Sequence, residues 1–276
     1  MNLVWGVLIT VAAAAIAVTA MLFVRRRAPE GSYFADGDRA AGVFGVLATG
    51  FSVLLGFIVF LAFTSYDQSR SGAETEALMV VQQVETAQFF PAETAGELTG
   101  ELICYGRSVV NDEWERMRSD TLGDRVNPWG VELFRTLQAV EPTTAAQQSA
   151  YDKWLDQTST REEARLDRAH GAVGVIPTQL WIVLFFIAAV IFVFMLFFAD
   201  RGEGAVTQAV LMGSVVAVIA TLLLLLYALD NPFSAGVGGL DPVAMERSLR
   251  LVDEALGAVG GQVPIPCDAE GVQVAS

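Results

Sequence analysis

Few residues in this chain have the type and spacing that chemistry needs. His170 is the only histidine, and no cysteine or serine motif stands beside it. Cys104 and Cys267 with that single histidine lack the close spacing of a zinc site. "NDEWERM", residues 111–117, clusters carboxylates, but on a helix its acids mostly serve a wet face. Arg161, Arg165 and Arg168 share a helical face, and the expectation is a solvated face with local pairs. The alternative pairs them with an acidic stripe on a neighbouring helix. No phosphate-binding loop or dinucleotide fingerprint is present, and no basic patch for nucleic acid. Neither an enzyme nor a cofactor is therefore expected. What remains is a set of hydroxyls and aromatics inside apolar runs, notably "SVLLGFIVFLAFTSYDQS" at 52–69.

The elements that hold these residues are set by hydropathy. Of the 276 residues 53% are hydrophobic and 17% charged, where a soluble domain carries about 25% charged. No Asp, Glu, Lys or Arg occurs in 1–24, 40–66, 169–199 or 204–229. Each gap exceeds the roughly 20 apolar residues that cross a bilayer core, which predicts transmembrane helices near 3–24, 41–64, 178–199 and 207–229. The first is read as an uncleaved helix rather than a signal peptide, because no basic segment precedes it and three arginines follow. The fold class is all-α. Residues 1–64 hold two membrane helices joined by a short basic loop, and 65–176 form an inserted helical soluble domain. Residues 177–229 hold two more membrane helices, and the tail 230–276 packs a helix on the soluble domain.

Orientation follows from Arg25-Arg26-Arg27. The positive-inside rule puts them in the cytoplasm, and with them the 25–40 loop. Four crossings then leave 65–176 and the tail outside it. Region 67–168 holds ten basic against nineteen acidic residues, so this face is acidic. Both cysteines lie there, where disulfides persist; a Cys104–Cys267 bridge would pin the tail to the domain, and two separate thiols are the alternative.

Within 65–176 the second membrane helix continues past Tyr66 on a stripe of Ala77, Val80, Val81 and Val84, until Pro91 stops it. A helix over about 93–119 buries Leu98, Leu102, Val109, Val110 and Trp114 and wets Glu97, Glu101, Asp112, Glu115 and Cys104. Asn127 and Pro128 start a third helix. A fourth follows Pro142 and runs through "TREEARLDRAH". Pro177 marks the next membrane entry, and Asp241-Pro242 starts a helix to about 257.

Face by face, the second membrane helix is differentiated. Gly45, Thr49, Ser52 and Gly56 fall within an arc of about 60° and permit close helix packing. Val53, Phe57, Phe60 and Thr64 form a second stripe beside it. Phe51, Leu54, Leu55, Ile58 and Ala62 occupy the far side, suited to lipid or bulk packing. From periodicity alone, both stripes are expected to pack inside a four-helix bundle.

"SVLLGFIVFLAFTSYDQSRSGAETEA", Glu113-Trp114, "IPTQLW" at 176–181 and "LDNPF" at 229–233 together resemble the bestrophin-like family of bacterial membrane proteins. The resemblance covers nearly the whole chain. "SVLLGFIV" at 52–59 is also similar to the pore segment S-F-V-L-G-F-Y-V of the more distant bestrophin ion channels. Ser52, Gly56 and Phe57 match that segment. Val53 stands for a second neck aromatic and Thr49 for an aliphatic residue. Bestrophins are homopentamers with an apolar neck on a central pore. The resemblance therefore implies an oligomeric channel in a bacterial plasma membrane, a pentamer, with Val53, Phe57, Phe60 and Thr64 at the neck. It also implies a cytoplasmic domain and anion permeation. The local charges point the other way on both, to an extracytoplasmic domain and to cation enrichment. The bestrophin calcium clasp is not expected: "SAGVGGLDP" follows Asn231-Pro232-Phe233, without the acidic run that calcium needs. A non-conducting scaffold or sensor, binding a partner through its helical domain, is the alternative function.

Overall fold

The computed structural model describes residues 3–119, 121, 125–236, 238–259 and 263–274. Parts of the expected irregular tail, 260–262 and 275–276, lie outside the described residues. Among those described, the chain is helical apart from loops and one antiparallel bridge, Cys267 with Gln273. It forms two compact units: Met1–Ser65 with Gly174–Gly239, and Tyr66–Val173 with Leu240–Ser276.

The first unit contains α1 (Leu3–Arg25), the first part of α2 (Gly37–Ala87), α7 (Thr178–Leu196) and α8 (Ala205–Asp230). All four helices are long and apolar enough to cross a membrane. Phe51, Leu55, Ile58 and Ala62 of α2 pack on Leu184 and Ile191 of α7 and Leu226 of α8. Ala17 and Met21 of α1 pack on Met212 of α8. The short loops at one end are tied together. The Arg25 guanidinium donates to the carbonyls of Asp200, Arg201 and Glu203, and the Asp200 carboxylate accepts from Gly31 N at 2.9 Å.

The second unit contains the rest of α2, α3 (Ala92–Ser108), a π-helical turn (Val109–Glu113) and α4 (Trp114–Arg118). α5 (Pro128–Gln138), α6 (Ala145–His170) and α9 (Val243–Val259) complete it. The Asn127 side chain caps α5 by accepting from Trp129 N, with Pro128 in the first turn. Thr144 caps α6. α2 and α6 pack antiparallel, with Ala77, Val80 and Val84 buried. Gly72 permits the approach, since a Cβ there would lie 2.6 Å from Ala164 O. The helix expected over 93–119 runs without a gap from Ala92 to Arg118, with a π turn at Val109–Glu113 that shifts the facing of the residues beyond it. One sequence expectation changes here. Cys104, expected on a wet face, is fully buried beneath the returning 263–274 segment of the tail, to which it is bonded through Cys267.

Candidate functional site: the faces of α2 and the domain that holds it

At about 100° per residue, the buried arc of α2 is centred roughly opposite Val53, Phe57, Phe60 and Thr64. Those four are exposed, Phe57 at 68% and Phe60 at 65%. Gly45, Thr49, Ser52 and Gly56 flank them and are exposed as well. A Cβ on Gly45 or Gly56 would meet nothing within 4 Å. Neither stripe therefore packs against this chain's own helices, and the arc suited to lipid or bulk packing forms the core. The reason is volume: Phe51, Leu55 and Ile58 fill the space before α7 and α8, where glycine and serine would leave voids. Ser52 and Gly56 border a groove of about 460 Å³ whose far wall is Val215, Val218 and Leu222 of α8. The hydroxyls of the exposed face are satisfied within the helix. Ser52 Oγ donates to Ala48 O at 2.9 Å and Thr64 Oγ1 to Phe60 O at 3.0 Å.

Further along α2, the polar chemistry is buried. Arg161, Arg165 and Arg168 of α6 are 1%, 8% and 0% exposed, contrary to the solvated face expected of them. Their partners are not the wet acids of α3. Arg168 meets Glu76 of α2 (Nη2 to Oε1, 3.0 Å) and Glu113 of the π turn (Nη2 to Oε2, 2.6 Å). Arg165 Nη2 meets Glu113 Oε1 at 2.9 Å, and Arg161 Nη1 donates to Gln83 Oε1 at 2.7 Å. Tyr105 Oη donates to Glu76 Oε1 at 2.6 Å, and Asn127 Nδ2 to Glu113 Oε1 at 2.9 Å. Burial pushes the Glu113 carboxyl up, but Arg168 and Arg165 pull it below its ordinary value. Burial and then Glu76 push the Tyr105 phenol well up.

Sequence reasoning missed Glu76. The available signal was the seven-residue spacing of Ser69, Glu76 and Gln83, which matches Arg161 and Arg168 on an antiparallel helix. All three lie fully buried in the α2–α6 seam. Glu101, expected in water, is half-buried against α5 and accepts from Thr136 Oγ1 at 2.8 Å. Burial raises its pKa to about 7, with Glu132 and Glu97 adding to the effect and Thr136 opposing it. His170 ends α6 and is exposed.

Cys104 and Cys267 form a disulfide, with their Cα atoms 5.8 Å apart. Beside it the tail runs along α3. Arg107 Nη1 donates to Asp268 O at 3.0 Å, and Trp129 Nε1 to Gly271 O at 2.7 Å. Gly100 lets the tail approach, because a Cβ there would clash with Pro264 O. In the membrane unit, Asp230 ends α8 and gathers three donors: Val175 N at 2.7 Å, Ile176 N at 2.9 Å and Trp181 Nε1 at 3.3 Å. Asp230 is the only carboxylate in 230–240, so this bend lacks the run of carboxylates that a calcium clasp needs.

A family profile described as a Bestrophin-like domain matches residues 11–238. No curated protein matches in sequence. Among solved structures, the crystal structure of a point variant of a membrane protein aligns at a TM-score of 0.67 and 14% identity. The alignment covers 95% of this chain and 100% of that one. A bacterial bestrophin homologue from Klebsiella pneumoniae aligns at 0.64 and 14% identity, over 93% and 99%. A point variant of a homologue from the same organism aligns at 0.62 and 13%, over 92% and 98%. At these identities the likeness is one of fold.

Proposed function

The chain belongs to the bestrophin-like family, whose profile spans most of its length, and from that premise we propose that it is one subunit of a homo-oligomeric ion channel. Five copies are the expected number. The exposed stripe Val53, Phe57, Phe60 and Thr64 would face the shared axis and form an apolar neck. The observation that carries this is the opposition of faces on α2: the chain buries one arc of the helix and leaves the opposite, aromatic-bearing arc uncovered. Exposed aromatics narrow a water path and gate it by dewetting. The small-residue flank of Gly45, Thr49, Ser52 and Gly56 is the surface on which the next copy would approach closely.

Planar-bilayer recording of the purified oligomer tests the neck. Phe57→Ala should raise the unitary current, because a bulky ring leaves the constriction. Unchanged currents remove the neck assignment. An oligomer that conducts nothing returns the scaffold function to first place, and a strict monomer in native-like membranes ends the shared-pore proposal. The plasma membrane is the proposed location, with the 65–176 domain and the tail outside the cytoplasm. The disulfide supports that side, since such bonds persist in oxidising compartments.

A further inference from the structure

The two motifs "IPTQLW" and "LDNPF" meet at one end of a cavity of about 820 Å³ in the membrane unit. Its walls are apolar faces of three membrane helices, with Ala13 of α1, Ala188 of α7 and Ala220 of α8 leaving the room. Its polar end holds Thr178, Trp181, Tyr227, Asp230 and Asn231. A mostly apolar cavity with a few convergent polar groups is the usual form of a ligand site. Among the described residues that line the cavity, Asp230 is the only charged one, and none is Lys, Arg or His. Val175 N, Ile176 N and Trp181 Nε1 hold its carboxylate in place without a neutralising cation. Asn231 Nδ2 donates to Tyr227 O at 2.9 Å, and the same side chain adds an amide carbonyl, a further acceptor, to this end. The polar end is therefore acceptor-rich and negative, at the point where the apolar run of α8 stops.

We propose that this cavity binds one membrane phospholipid with a primary-ammonium headgroup. Its acyl chain lies along the alanine-lined walls and its ammonium sits at Asp230. An ammonium brings three donors and a positive charge to that carboxylate. A choline headgroup brings the charge without N–H donors. An anionic headgroup would face a carboxylate with no cation beside it. The site is independent of conduction, so it stands or falls separately from the channel.

Fluorescence quenching tests it on the full-length protein in mixed micelles titrated with brominated-chain phosphatidylethanolamine, phosphatidylcholine or phosphatidylglycerol. The Trp181 signal is the difference between wild type and Trp181→Phe. Half-quenching should need roughly tenfold less phosphatidylethanolamine than either other lipid, as one charge-assisted hydrogen bond allows. Ala220→Phe should fill the cavity and remove that Trp181 quenching for all three. Asp230→Asn should make the three lipids equal. The headgroup comparison on wild type needs no substitution, so a misfolded variant does not rescue the proposal. Equal curves for the three lipids on wild type, full quenching of Ala220→Phe, or no quenching by any lipid because a second copy covers the cavity would each overturn it.

Discussion

Arg168 shows what a buried charge does in this molecule. Its guanidinium is fully buried, and Glu76 and Glu113 hold it in the charged form against the burial that opposes it. Arg168→Met should destabilise the second unit by about 3–5 kcal/mol, because it strands two carboxylates without their cation. Thermal melting of the purified protein by circular dichroism checks this. Arg168→Met combined with Glu76→Gln and Glu113→Gln should recover much of the loss; a triple variant no more stable than the single would mean shape, not charge, is at stake. Glu101 behaves oppositely. Its folded pKa of about 7 lies above its ordinary 4.5, so the fold favours its protonated form. Its favourable contribution is complete below about pH 4.5 and disappears as pH rises through 7. Wild type should therefore lose melting temperature between pH 5 and pH 8 relative to Glu101→Gln; parallel pH profiles for the two proteins would refute it. The three arginines were legible as one helical face, but which helix covers that face was not. A charged face defaults to water unless a partner is known, and the partner Glu76 sits on an element 92 residues away in sequence.

At the scale of elements, length and caps were the legible part. The four apolar runs became α1, α2, α7 and α8, and Asn127, Pro128 and Pro177 mark helix starts as their chemistry dictates. The orientation of α2 about its axis was not legible. Volume explains why the Gly45, Thr49, Ser52 and Gly56 arc is left out of the core, but the arc of Val53, Phe57 and Phe60 is as bulky and apolar as the buried one, so composition does not say which of the two meets α7 and α8. The same limit hid the strap over α3. Periodicity placed Cys104 on the polar side of its helix, and only the returning tail makes that side an interior. The strap gives an element-scale prediction. Cys267→Ser, or reduction of wild type, should cost roughly 2–5 kcal/mol, the usual range for a native disulfide in a small domain. The loss should appear as a lower melting temperature, and reductant should do nothing further to Cys267→Ser. If reduced and oxidised wild type melt together, the hydrogen bonds of Arg107 and Trp129 hold the strap unaided.

For the whole molecule, two independent features bear on which side of the membrane each end occupies. Arg25 ends α1 and Arg26 and Arg27 follow it, and Arg25 is bonded to the carbonyls of the 200–203 loop, so both short loops share one end of the membrane unit. Positive charge there favours the cytoplasm. The disulfide lies in the other unit, with the acidic surface, and favours an oxidising compartment. Both features support the proposed orientation, with the 65–176 domain outside the cytoplasm, the reverse of that implied by the resemblance to bestrophin channels. Fusions at the end of the full chain separate the two. Alkaline phosphatase, which matures only outside the cytoplasm, should be active after Ser276, and green fluorescent protein exported in unfolded form there should stay dark. The reverse pattern would place the domain inside. The disulfide would then have to survive in a reducing compartment, protected by the burial of both cysteines. In that case the arginine triplet serves the loop contacts of Arg25 rather than topology.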